Sequence, residues 1–529
     1  MFVSIFNDVI GPVMRGPSSS HCAAALRIGR LARDLMEEKL DAVLVEFDRH
    51  GSLPTTHDTQ GSDMGLFGGL MGWDAADERL PGSMRALEES GVGIRIETVD
   101  AGDPHPNTYR LTLSKNEKSH SLRAISTGGG MMKVLDIDGF AVSMFGDYFE
   151  TLLWARGDGV ALREKVAMLF DADAILLHEH NGLQMVEVKA QQFVPDLVLA
   201  QLKLLGFVGI VRRLAPVLPV LSHRTTKVPF SSCAEMLAFD AGRDIPLWKL
   251  ALEYECTRGG LSEQQAMEMM VGIVRILRRS IAQGIAGTTY EDRVLGYQSG
   301  RFERLMQEGG LLNAGALNRI ILYVTALMEV KSSMGVIVAM PTAGACAALP
   351  GAVIAMAEEM NLGEDEMARA ILASGIIGVF IATAWTFAAE VGGCQAEGGS
   401  AAAMAAGALV TMAGGTLAQA VAAASMAMQS MIGLICDPIA NRVEAPCLGK
   451  NVMAAANALS CANMALAGFD QVIPLDEVIE TAKQVAKQMP RELRCTALGG
   501  LSITPASVAI EKRLAEKKMA CGTGSCGCK

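Results

Sequence analysis

The chain has 529 residues, half of them apolar, with 46 Lys+Arg against 57 Asp+Glu. That composition excludes a disordered chain, a collagen-like chain and a small disulfide scaffold. The net charge of −11 argues against a general nucleic-acid binder, which needs a cationic surplus to neutralise phosphates.

Residues 1–137 read as an α/β unit. Ala42–Phe47 is a short apolar β-rich run, Gly93–Thr98 alternates as a strand does, and Arg27–Glu37 reads as a helix after the Gly16–His21 turn. All eight His lie in the first 223 residues, so histidine chemistry belongs to this part of the chain. The N-terminus carries no basic segment ahead of an apolar run, so no signal peptide is expected. Twelve Cys then imply a reducing cytosol, where clustered thiols are more often metal ligands than bridges.

Residues 138–214 predict strand 151–154, helix 161–170, strand 174–178, an Asn181-Gly182 turn, strand 184–188, helix 195–205 and strand 208–212. An Asn-Gly between two β-rich runs signals a hairpin. The βαββαβ order is that of a ferredoxin-like unit. It resembles ACT-type regulatory domains, which bind amino acids between subunits.

Residues 215–229, with three Pro, read as a linker. From 230 to 518 the periodicity is helical, with no strong strand signal, and 519–529 form a Gly/Cys tail. The expected architecture is therefore multidomain: an N-terminal α/β domain, an ACT-type domain and a large all-helical C-terminal domain. Between Ile371 and Ile435 the only charges are Glu390 and Glu397. These runs are long enough to span a membrane. They are built from Ala, Gly, Met, Ser and Thr, without aromatic belts or a Lys/Arg bias, which favours the buried core of a soluble protein over a transporter.

Three constellations could carry chemistry. Gly16-Pro17-Ser18-Ser19-Ser20-His21 opens a helix, where hydroxyls and backbone N–H groups suit a carboxylate, although a plain Ser N-cap explains it equally well. Cys394, Cys436 and Cys447 stand 42 and 11 positions apart, with no local CxxC. By spacing alone they read more readily as small buried hydrophobes than as ligands. Glu390 and Glu397 flank Cys394, however, and isolated carboxylates in an apolar core are costly unless paired or ligated. The third is Ser332-Ser333-Met334-Gly335 followed by Met340-Pro341-Thr342, either a pocket wall or a helix–helix turn.

GPSSSH (16–21), STGGG (126–130), SSMGVIVAMPTAGACAALPGA (332–352), GGCQAEGGSAAAMAAGAL (392–409) and CDPIANRVEAPCLGKN (436–451) together resemble the iron–sulfur-dependent L-serine dehydratases. The likeness covers nearly the whole chain, in the order β chain, ACT-like tail, α chain. It implies a lyase that converts serine to pyruvate and ammonia in amino-acid degradation feeding gluconeogenesis. It implies a [4Fe-4S] cluster on Cys394, Cys436 and Cys447, one iron left open as a Lewis acid, sensitivity to oxygen and no pyridoxal phosphate. It also implies substrate contacts from Ser18, Ser19, Ser20, Ser126, Thr127, Gly128, Ser332, Ser333, Thr342 and Lys450, and a cytoplasmic homodimer with no nucleic acid or membrane partner. A tail thiol, Cys528 or Cys526, would be a resting fourth ligand.

The chain departs from the family pattern in places. A histidine in a G-H-x-T-D pattern is the family's expected base, and here the stretch reads Thr59-Gln60-Gly61-Ser62-Asp63. An amide cannot act as a base, which leaves His57 and His21 for that role. Cys22 and Lys450 stand where family members often have Thr and Arg. The Gln60 change keeps open another β-hydroxy or β-thiol amino acid as substrate, or an inactive serine sensor. A pyridoxal-phosphate dehydratase, with the glycine run at 128–130 cradling a phosphate, has weaker support.

Overall fold

The computed structural model describes residues 2–37, 40–58, 60–116, 118–290 and 293–522. They fall into two compact units, one of residues 19–227, the other of residues 1–18 with 228–529.

Among the described residues, unit 19–227 holds two sheets. The larger has the strand order Gly93–Val99, Ala42–Asp48, Thr108–Lys115, Lys118–Gly128, Met131–Ile137, Phe140–Met144. Its first pair is parallel and the rest antiparallel. Alternation drives burial: Val43, Val45 and Phe47, then Tyr109, Leu111 and Leu113, point into one core with Ile28, Leu31 and Leu35 of the helix Ala24–Leu35. Each such side chain withdrawn from water contributes about 1.5–3 kcal/mol. That helix packs backbone to backbone on the helix Ser62–Leu70, and a Cβ on Gly29 would lie 2.2 Å from the Leu66 carbonyl oxygen. Phe140–Met144 belongs to this sheet, so the first domain runs past the expected boundary at 137.

The second sheet has the order Val208–Leu214, Phe149–Ala155, Leu183–Ala190, Ala174–His180, all antiparallel. Helices Gly159–Leu169 and Asp196–Leu204 pack on it through Leu162, Val166, Leu199 and Leu202. Asp158 caps the first, its carboxylate accepting from Val160 N at 2.9 Å. Asn181 and Gly182 take φ of 49° and 77°, the left-handed pair that a tight hairpin requires. The expected βαββαβ order is present.

The other unit is helical. At its centre Glu364–Ala384 packs against Ser400–Met412, Leu247–Gly259 and Glu263–Ala286. It is long and apolar enough to cross a membrane, but 78% of its apolar window is buried inside the protein, as a core helix is. Nine of the 13 residues of Ser400–Met412 are Ala, Gly or Met, which lets the helices Leu417–Gln429, Cys447–Leu466 and Ala348–Glu359 approach it closely.

Two expectations are corrected here. Residues 1–18 pack in the helical unit and not in the α/β domain. Ser4 Oγ donates to Glu255 Oε1 at 2.5 Å and Ile5 N to Glu255 Oε2 at 2.8 Å, so a buried carboxylate recruits the N-terminal segment. The helical region also contains a strand: Val336–Val338 pairs antiparallel with Val13–Arg15. Three residues completed by a distant partner are too short to leave a periodic signal.

Candidate metal centre and histidine pair

Cys394 and, 42 and 53 positions later, Cys436 and Cys447 place three thiols in one part of the helical unit. Cys394 follows Gly393, whose φ of 67° turns the chain out of the short helix Ala389–Gly392. Cys436 lies in an extended segment, its N–H donating to Leu493 O at 2.8 Å and its carbonyl accepting from Cys495 N at 3.0 Å. Cys447 opens the helix Cys447–Leu466, where the helix dipole favours a thiolate. All three are buried. The Cys394 and Cys436 sulfurs and a Glu397 carboxylate oxygen lie within 4.8 Å of one another. The Cys436 thiol is held far above its ordinary value by the Cys394 sulfur and then by the Cys495 sulfur, with burial adding to both. The Cys447 thiol is raised by burial and then by Cys394. Thiols this crowded cannot all ionise against one another, and a cation among them removes that penalty. Two buried thiols with a carboxylate oxygen beside them, and a third buried thiol close by, suit zinc or an iron–sulfur cluster.

Positive charge is already arranged around the thiols. Lys450, one turn beyond Cys447, puts Nζ 3.6 Å from Cys394 Sγ and 2.7 Å from both Asp437 Oδ1 and Ile435 O. Lys331 is fully buried, bonds the Val443 carbonyl, and draws down the Cys447 thiol and the Glu397 carboxyl. Burial pushes Glu397 up to about 7, opposed by the Thr342 hydroxyl that donates to it at 2.7 Å. Asn451 ties the centre together. It donates to Gly344 O at 2.8 Å and Cys447 O at 2.9 Å, and accepts from Ala347 N and Ala348 N at 3.2 and 3.0 Å. A Cβ on Gly344 would lie 2.7 Å from Glu397 Oε1, so a side chain there would displace the carboxylate.

Unit 19–227 carries a histidine pair. His57 Nδ1 lies 2.7 and 2.8 Å from the two carboxylate oxygens of Asp63. A carboxylate on Nδ1 holds the tautomer in which Nε2 bears the lone pair. Gly61, at φ of 86°, starts the Ser62–Leu70 helix that presents Asp63. His21 Nε2 lies 3.1 Å from Thr56 Oγ1, and burial lowers its pKa to about 4. Arg27, itself buried, donates to Gly130 O at 2.6 Å and anchors the glycine run.

A family model, "Serine dehydratase alpha chain", matches residues 242–502. The probable L-serine dehydratase alpha chain of Bacillus subtilis is 33% identical over 285 residues, 54% of this chain and 95% of the relative. The chain belongs to the L-serine dehydratase family. The L-serine dehydratase of Streptomyces coelicolor is 29% identical over 513 residues, covering 95% of this chain and 99% of its own. The probable L-serine dehydratase beta chain of Bacillus subtilis matches 145 residues at 39% identity, 27% of this chain and 64% of the relative. This family member therefore joins alpha- and beta-type parts in one polypeptide.

Within this dehydratase-family chain, Cys394, Cys436, Cys447, Thr342 and Lys450 come together in the helical unit. Ser333 does not join the thiols by any bond of its own, since its Oγ accepts from Arg293 at 2.8 Å, and Ser332 is buried at the end of the helix Ala316–Ser332. Ser18 ends one unit and Ser19 and Ser20 begin the other. The turn holding Ser19 and His21 packs on strand Lys118–Gly128, which carries Ser126, Thr127 and Gly128. Gly128–Gly130 form the turn into the next strand, a hairpin where a phosphate cradle was the alternative. Glu390 is exposed and Glu397 partly buried, so of the two carboxylates expected to mark a site beside Cys394 only Glu397 stands with the thiols. Cys526 and Cys528 lie outside the described residues.

Several residues of the sites escaped the sequence reading. Asp63 and Lys331 had a signal: a carboxylate six positions after His57, and a Lys ending an apolar helix. Asn451 and Cys495 had none, because their partners are remote in sequence.

Proposed function

We propose that this chain is an iron–sulfur-dependent L-serine dehydratase that yields pyruvate and ammonia. The observation that carries the reading is the convergence of three buried thiols, Cys394 from a segment remote from Cys436 and Cys447, flanked by two lysines, in a chain of this family. A cluster held by three thiolates supplies, when bound, one iron open as a Lewis acid toward the substrate hydroxyl.

The residues of the chain have separable tasks. Cys394, Cys436 and Cys447 hold the cluster, and Lys450 and Lys331 offset its negative charge. Thr342 holds Glu397 at the centre. Ser18, Ser332 and Ser333 are the substrate-binding candidates of the helical unit, and Ser19, Ser20, Ser126, Thr127 and Gly128 those of unit 19–227. His57, oriented by Asp63, accepts the α-proton, because a base needs its other ring nitrogen held. His21, whose buried ring resists protonation, serves as a neutral hydrogen-bonding group. Loss of the α-proton and the hydroxyl gives aminoacrylate, which becomes the imine and hydrolyses to pyruvate and ammonia. In this reading the ACT-type unit mediates a homodimer, and the enzyme works in the reducing cytosol without pyridoxal phosphate.

The test is pyruvate or 2-oxo-acid release from L-serine, L-threonine and L-cysteine by protein assembled with iron and sulfide under anoxic conditions. L-serine is expected to be the best substrate. A preference for another amino acid would move the substrate assignment and leave the mechanism standing. Binding of serine by loaded protein without turnover would make the chain a sensor.

A further inference from the structure

The sequence motifs account for three thiols, yet a fourth lies against them. Cys495 packs against the small buried cluster of Ala389, Cys394 and Cys436. Its position is set by backbone pairing: Arg494 bridges Cys436, Cys436 N donates to Leu493 O at 2.8 Å, and Cys495 N donates to Cys436 O at 3.0 Å. Cys495 also adopts φ of 59°, a left-handed conformation that a non-glycine residue takes only where its surroundings require it. The far end of the same loop is tied down, because Leu501 N donates to Asp437 Oδ2 at 2.9 Å, and Asp437 holds Lys450.

We propose that Cys495 supplies a fourth thiolate to the centre formed by Cys394, Cys436 and Cys447, closing it in the resting enzyme. Cys495 is only partly buried, whereas the other three are enclosed. It is therefore the ligand that a substrate can displace without unpacking the core. The proposal rests on the iron–sulfur reading of the thiol set.

The experiment uses the full chain assembled anoxically with iron and sulfide, its Cys495→Ala and Cys495→Ser variants, and a chain ending at residue 522. Each is exposed to air while iron release and the paramagnetic signal of a three-iron cluster are followed. Cys495→Ala is expected to lose the fourth iron about 10-fold faster than the parent. Cys495→Ser, nearly the same size and still an oxygen donor, should fall between them, and the shortened chain should match the parent. Equal rates in Cys495→Ala and the parent would overturn the proposal. So would acceleration confined to the shortened chain, which would assign the fourth ligand to the tail. If Cys495→Ala does not fold, the rate in Cys495→Ser decides. Failure of the parent itself to take up iron and sulfide would overturn the iron–sulfur reading and this proposal together, and shows before any variant is compared.

Discussion

Lys450 holds its ammonium 3.6 Å from the sulfur of Cys394. Asp437, at 2.7 Å, fixes that ammonium from the other side, so the lysine is positioned and not merely nearby. A cation in this place lowers the cost of keeping thiolates buried.

Lys450→Met should therefore weaken retention of iron about 10- to 100-fold while the helix around it stays folded. Lys450→Arg, which keeps the charge, should lose far less. Iron and sulfide content after gel filtration distinguishes the two.

Gly344→Ala drives a methyl group into the Glu397 carboxylate, which Thr342 holds at 2.7 Å. Turnover should drop about 10- to 100-fold, with a melting temperature changed far less than activity. Thr342→Val removes the donor without crowding the site and should cost less. Equal activity in Gly344→Ala and the parent would show that the position of Glu397 does not matter.

His57→Gln should reduce kcat about 100-fold or more, as loss of a general base does. Asp63→Asn should lower kcat by less and move the pH profile, because it changes the tautomer and basicity of His57 and leaves the ring in place. Iron content should not change in either variant, which separates the base from the cluster ligands.

His21 gives a pH dependence of stability. Burial lowers its pKa from 6.5 to about 4. The unfolded chain thus binds a proton that the folded chain refuses, and stability is fully present above pH 6.5 and lost as the pH falls toward 4. The contribution is about 3 kcal/mol. Urea midpoints of the parent and His21→Gln should converge as the pH is lowered through that window. A constant difference would mean that the ring is not buried neutral.

Local patterns carried much of this architecture. The Asn181-Gly182 turn and the runs around it sufficed for the βαββαβ order, since hairpins and amphipathic helices leave their periods in nearby residues. Cys394, Cys436 and Cys447 stood out only with the motifs around them. Strand Thr108–Lys115 carries a clean alternation at Tyr109, Leu111 and Leu113. The place of residues 1–18 was not legible, because it depends on Glu255 some 250 positions away. Cys495 and Asn451 take their places through partners that no local window contains. Glu390 shows the reverse error: a lone charge in an apolar stretch suggested a site, and the chain simply turns it outward.

The most direct test of the account is pyruvate release from L-serine measured as a function of bound iron and sulfide, in anoxic protein reconstituted to graded loadings. The account predicts turnover that rises in proportion to cluster content, disappears on exposure to air, and is absent from Cys436→Ser at every loading. Turnover by iron-free protein, or undiminished turnover in Cys436→Ser, would contradict it.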